Sequence, residues 1–260
     1  MKNLMYHQIG NGKNSIGIGL KKFRKQLDYF AKSKNFFTLT FDHGTIDHYK
    51  FALPELDKRG LKGIFYILTM IQEDFCLPVE DKQRKLERIF KKKLPKIVCD
   101  ELGLDYSPSA CKSFRNKWKF YTLEERYLRY LRDKILDLKD YKRIINKIFN
   151  KVVGTEKQFI KENYLNWTQI KKILSNGHKI GSHSHYHVGD YDDYKHSLKV
   201  IQKRLNINTD TITYPNSNKI ITDRDLKKLG VKEAYTTNFI SKGSFRLSRI
   251  DCNQFFFNNN

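Results

Sequence analysis

Residues 36–68 and 165–229 alternate between strand-like and helix-like patterns, while residues 72–161 between them carry only helix-periodic segments, parted by a turn-like Ser107-Pro108-Ser109. This change of rhythm leaves few folds open. A β-rich run from Phe36 to Phe41 ends in Asp42-His43-Gly44. A helical stretch then begins near Tyr49 and stops at Arg59-Gly60, and Gly63 to Leu68 reads as a buried strand. From Leu165 the alternation resumes. It predicts a helix from Thr168 to about Ser175, a strand through Ile180, a helix near Tyr194 to Leu205, a strand around Thr211 to Tyr214 and a helix from Asp223 to Leu229. Such alternation argues for a mostly parallel sheet or barrel. The stretch between carries charged helical segments, among them Lys82 to Lys93 and Leu123 to Phe149, and reads as an insertion into the α/β unit.

Two segments at predicted strand ends carry chemistry. Gly181-Ser182-His183-Ser184-His185-Tyr186-His187 holds three of the eight histidines within five residues. In an extended segment alternate residues share a face, so His183 and His187 can address one ion. On spacing alone the segment reads more readily as a hydrogen-bonded polar loop. Thr38 to Gly44 delivers an acid, Asp42, and an imidazole, His43, to the end of an apolar strand. Taken alone this too is compatible with an ordinary turn.

Together and in this order, these segments resemble the polysaccharide deacetylase family, also called the NodB-homology or carbohydrate esterase family 4 group. Its Thr-Phe-Asp-Asp-Gly motif is matched by Thr40-Phe41-Asp42-His43-Gly44, and its His-Ser/Thr-x-x-His motif by His183-Ser184-His185-Tyr186-His187. Ile212-Thr213-Tyr214-Pro215-Asn216 is similar to the third, aromatic-Pro-Tyr motif, and Leu247-Ser248-Arg249-Ile250-Asp251 to the Leu-Pro-Arg-Ile segment of some members. The likeness spans roughly Leu4–Leu68 and Leu165–Asp251. It implies a distorted, incomplete (β/α) barrel built from residues 1–71 and 162–260; residues 72–161, which the likeness does not cover, are expected as a helical insertion over or beside its mouth that sets which substrate is accepted.

The resemblance further implies a metal-dependent carbohydrate N-deacetylase. His43, His183 and His187 would bind one divalent ion, with zinc the first expectation and nickel, cobalt or iron as alternatives. Asp42 would be the general base, Arg249 would hold it ionised unless it is an ordinary surface arginine, and Tyr214, Pro215 and Asn216 would line the substrate and oxyanion side. His43 stands where the family has a second aspartate, which turns a two-histidine, one-carboxylate set into a three-histidine set. That set suits zinc and can leave a position for water. The family's late Leu-x-His motif is not evident. Tyr6-His7 matches an early segment of the poly-N-acetylglucosamine deacetylase branch, which makes His7 the candidate acid for the leaving amine, with a plain strand histidine as the alternative. His178 and His185 read as structural, and Asp47 and His48 either line the cleft or open the next helix.

Fifty Lys and Arg against 28 Asp and Glu give a formal charge of +22. This balance favours an anionic partner, such as a nucleotide- or lipid-pyrophosphate-linked acetamido sugar, unless most of the lysines simply cover solvated faces. No segment reads as a nucleic-acid-reading motif or a membrane span. The early residues turn polar too soon for a leader, and the four cysteines lack paired spacing, so a reducing, cytoplasmic setting is expected. The alternatives are a non-catalytic sugar-binding relative, if His43 does not reach an ion, and a basic nucleic-acid-binding protein.

Overall fold

The computed structural model describes residues 2–10, 17–114, 122–237 and 243–255. The chain divides into two compact units, Met1–Cys76 with Ile160–Asn260, and Leu77–Phe159.

In the first unit seven strands form a closed barrel: β1 (Lys2–Tyr6), β4 (Phe37–Asp42), β5 (Gly63–Ile67), β6 (Lys179–Ser182), β7 (Thr211–Thr213), β8 (Glu233–Thr236) and β9 (Leu247–Asp251). They neighbour one another in that order, and every pairing, including the closure of β9 on β1, is parallel. Two short strands, β2 (Gln8–Gly10) and β3 (Gly17–Gly19), pair separately. The barrel is thus of the expected (β/α) type, with seven strands rather than eight. Its weakest seam lies between β6 and β7, which share the single register pair Ser182↔Ile212.

Alternation along the strands sorts the side chains into two layers. Leu4, Tyr6, Leu39, Phe41, Phe65, Ile67 and Ile180 pack outward against the helices Leu20–Lys32, Leu53–Asp57, Trp167–Ser175 and Tyr191–Leu205. Tyr6, Phe41 and Phe65 form a stacked row, with ring centroids 5.1 and 4.6 Å apart. The alternate positions, Thr40, Asp42, Ile64, Tyr66, Tyr235, Leu247 and Arg249, face the barrel interior. Gly181 is required there, because a Cβ at that position would lie 2.3 Å from the Tyr66 ring. The ring needs that space to carry its hydroxyl to Thr211 Oγ1 at 2.6 Å.

The helices follow their local codes. Leu20–Lys32 buries Phe23, Gln26, Leu27 and Phe30, spaced on one face. Trp167–Ser175 begins at a capping box of Asn166 and Gln169, and Tyr191–Leu205 begins at Asp190. The helix predicted from Tyr49 departs from expectation. It opens as a wide turn over His48–Ala52 before the short helix Leu53–Asp57, because Pro54 has no N–H to donate.

The second unit is helical. Its longest elements, Val79–Phe90 and Leu138–Val153, bury Leu86 and the row Tyr141, Ile144, Ile145, Ile148 and Phe149. The expected run from Leu123 to Phe149 is broken into Leu123–Tyr130, a wide turn at Leu131–Ile135, and Leu138–Val153. Asp137 makes the break by turning its carboxylate to the Asp140 N–H as a new N-cap. Among the described residues no helix is long and apolar enough to cross a membrane.

Candidate active site

The chemically active side chains gather at the carboxyl ends of the barrel strands, the end at which such barrels carry their sites. Asp42 closes β4 and His43 follows it, His7 follows β1, and His183 follows β6. The donor atoms of His43, His183 and His187 lie within 4.8 Å of one another. Their ring centroids are 4.8, 5.3 and 5.1 Å apart, and the His7 ring is 5.5 Å from that of His43.

Backbone conformation makes this convergence possible. His43, Ser184 and His187 all have positive φ, at 73°, 69° and 61°. Left-handed backbone at a residue with a side chain costs on the order of 1–3 kcal/mol, and such strain concentrates at functional sites. Two of three converging imidazoles therefore sit where local preference alone would not put them. Asn216 and Ser217, in the turn Pro215–Ser217 after β7, are left-handed as well.

Asp42 is buried, and both of its oxygens accept from Arg249. Nη1 reaches Oδ1 and Nη2 reaches Oδ2, each at 2.8 Å, while Nη1 also donates to Thr40 Oγ1 at 3.1 Å. Burial by itself would raise this carboxyl's pKa. The Arg249 charge, the neighbouring His183, the two hydrogen bonds and His7 outweigh burial and hold the group well below the usual carboxylate range. His183 is pushed the other way. Burial, only partly opposed by Asp42, drives its pKa well below the ordinary value and keeps the ring neutral. Its Nδ1 shares a hydrogen bond with Thr213 Oγ1, which leaves Nε2 as the free donor atom. Three imidazoles, at least one of them held neutral, make a donor set that suits a divalent ion of the zinc type. In a tetrahedral zinc site the nitrogens stand about 3.3 Å apart, inside the span these rings occupy.

The remaining residues singled out in the sequence fall into two groups. The carbonyl of His7 accepts from His48 Nε2 at 2.7 Å and from Thr45 Oγ1 at 3.2 Å, so the backbone that carries this ring is fixed. His48 is buried, and Asp47 accepts from the Ile9 N–H, so both support β1 and β2. Tyr214 packs with Tyr194, Ile212 and Phe245, and its hydroxyl donates to the Phe245 carbonyl at 2.8 Å. Its side chain therefore serves the core outside the barrel. Pro215 abuts Gly189 of the histidine loop, where an added Cβ would come within 2.9 Å of its ring. His178 accepts from the Gly63 N–H and meets Asp57, and His185 meets Thr69 and Asp74, which are structural tasks.

Sequence reasoning missed Thr213, which orients His183, and Asp193, whose carboxylate gathers the backbone of the histidine loop. Asp193 has the look of an ordinary acid in a first helical turn, and no local signal separates it from Asp190 or Asp192.

A closed parallel barrel with imidazoles and an arginine-clamped aspartate at its carboxyl end defines a (β/α) barrel scaffold, and solved structures share it. A deacetylase from Streptococcus pyogenes, PplD, solved in complex with acetate, is similar with a TM-score of 0.53 and 16% identity, covering 96% of this chain and 91% of that one. IcaB from Ammonifex degensii is similar with a TM-score of 0.55 and 14% identity, covering 96% and 90%. A polysaccharide deacetylase from Bacillus cereus is similar with a TM-score of 0.54 and 15% identity, covering 96% of this chain and 64% of that one. The fold of this chain is the (β/α) barrel of the polysaccharide deacetylases. No protein-family model matches the chain, and no curated protein matches it.

Proposed function

We propose that this chain removes the acetyl group from an N-acetylated amino sugar, with a divalent ion on His43, His183 and His187 and with Asp42 as general base. The observation that carries the reading is the convergence of three imidazoles beside an arginine-clamped aspartate, at the catalytic end of a deacetylase-type barrel. The Streptococcus relative in the same fold was solved with acetate, the product such a reaction releases.

When bound, the ion would supply Lewis acidity, polarising the acetyl carbonyl and acidifying water. Asp42 stays ionised beside Arg249 and accepts the proton of the attacking water. Its low basicity follows from the clamp, and the clamp in turn fixes both oxygens so that proton transfer takes place in one orientation. His7 delivers a proton to the leaving amine. The backbone N–H of Asn216 stabilises the oxyanion, a task that does not depend on the side chain at that position. The net charge of +22 suits a sugar carried on an anionic nucleotide or lipid pyrophosphate in the cytoplasm.

The test is acetate release from acetamido sugars by the purified protein before and after chelation, with metal content measured in parallel. Asp42→Asn is expected to keep the ion and lose on the order of 10²–10⁴-fold in turnover, and His7→Ala to lose a comparable factor. A wild-type protein that binds no divalent ion, or an Asp42→Asn variant with near-normal turnover, overturns the reading.

A further inference from the structure

The loop that carries His187 has little apolar anchorage. Tyr186 and Val188, on either side of it, are 56% and 50% exposed. The start of the loop is tied down through His185, whose ring meets Thr69 and Asp74 and whose carbonyl accepts from the Met70 N–H, but the segment on both sides of His187 is gathered by one buried carboxylate. Asp193, in the first turn of the helix Tyr191–Leu205, accepts backbone N–H bonds at Oδ1 from His185 (2.9 Å) and Tyr186 (2.5 Å), and at Oδ2 from Val188 (2.9 Å) and Gly189 (2.8 Å). Its own N–H is tied to the N-cap Asp190 at 2.9 Å, so the carboxylate is fixed relative to the helix. The residue between the two bonded pairs, His187, has a φ of 61°, and its N–H donates to Ser184 Oγ at 3.1 Å. The four amides therefore clamp the chain on both sides of a residue held in a conformation that side chains disfavour.

We propose that Asp193 is a positioning residue for the metal centre: by collecting the amides of residues 185, 186, 188 and 189 it fixes the His187 imidazole where it meets His43 and His183. This rests on the metal-centre reading above. An ionised carboxylate is acceptor-only, and its two oxygens offer enough lone-pair sites for four donors. An asparagine side chain keeps one accepting oxygen and presents an N–H₂ group to the other two amides, so two of the four lose their partner and meet a competing donor. Groups that orient metal ligands from behind typically govern affinity by 10–100-fold.

Zinc titration against a competing chromophoric chelator is the experiment. Asp193→Asn is expected to bind zinc about 10–100-fold more weakly than wild type and to shift the visible spectrum of the cobalt-substituted protein. Thr222→Ala, which removes the cap of the helix Asp223–Lys228, serves as the stability control and is expected to lower the melting temperature with affinity and spectrum unchanged. Asp193→Asn protein that folds with wild-type zinc affinity and an unaltered cobalt spectrum overturns the proposal, as does an equal affinity loss in Thr222→Ala. Wild-type protein that binds neither zinc nor cobalt, nickel or iron overturns the metal centre itself. If Asp193→Asn does not accumulate as folded protein, metal-free wild type decides by amide hydrogen exchange. The amides of His185, Tyr186, Val188 and Gly189 should exchange slowly despite the exposed side chains at 186 and 188, and exchange at open-loop rates overturns the clamp.

Discussion

In the barrel unit Asp42 and Arg249 are both buried and share two hydrogen bonds of 2.8 Å. In the helical unit the buried Lys82 reaches Glu156 and Asn146 at 2.6 and 2.7 Å, but the Glu156 side chain keeps 23% of its surface in water. The helical pair thus has a wet end that can be rehydrated, and its geometry is what packing a long side chain between helices requires. The barrel pair has no such outlet. A hydrophobic pair of similar volume would often be as stable in its place, so structure alone is a poor explanation for it. Histidines divide in the same way. All eight lie in the barrel unit, and residues 77–159 contain none. Among the described residues, positive-φ residues with side chains cluster in the barrel unit at His43, Ser184, His187, Asn216 and Ser217, whereas the helical unit has one, Lys91.

The largest difference should appear when each buried cation is removed. Arg249→Met leaves Asp42 buried without a partner and is expected to cost about 3–5 kcal/mol of stability at neutral pH, read by urea denaturation. Lys82→Met should cost only about 1–3 kcal/mol, because Glu156 turns to solvent. Equal losses would erase the distinction between the two buried pairs.

Acidification should separate the units next. Burial lowers the pKa values of His48 and His178, against the weaker opposing pull of Asp47 and Asp57 respectively. Below the ordinary histidine value of about 6.5 the unfolded chain takes up protons that the folded barrel refuses, so stability rises with pH across this window. The contribution is complete above 6.5 and is lost as pH falls toward the depressed folded values. Hydrogen exchange corrected for intrinsic rates, compared between pH 7 and pH 5, should show barrel peptides losing protection while peptides from 77–159 change little. Matching losses in both units would mean that carboxylates rather than histidines dominate the acid response.

The smallest effects should be the same in the two units. Thr122 in the helical unit and Asn166 in the barrel unit each open a helix with a capping box. Alanine at either is expected to cost about 1 kcal/mol, read from the denaturation midpoint, because a cap answers to its own turn and not to the surrounding architecture. A markedly larger loss at Asn166 would show that the entry to that helix also braces the barrel.

Much was legible in the sequence where the information is local. Strand runs with period two, helix faces with period 3.6 and the cap residues set the α/β alternation, the basic helical stretch and most element positions, since each depends on neighbours within a few residues. The segments around Asp42 and His183 could be picked out for the same reason: their functional side chains are close in the chain. The sequence missed the breaks at Pro54 and Asp137, where one residue's hydrogen-bond chemistry overrode the hydrophobic period. That Arg249 meets Asp42 across 207 positions of sequence was expected only through the family resemblance, and tertiary structure alone decided that seven parallel strands close into a ring. It also decided that Thr213 turns His183, and that one of three similar acids, Asp193 rather than Asp190 or Asp192, gathers the histidine loop. A hydrogen bond between distant residues leaves no periodic trace in the chain, because it is specified by the closure of the whole barrel and not by the residues on either side of it.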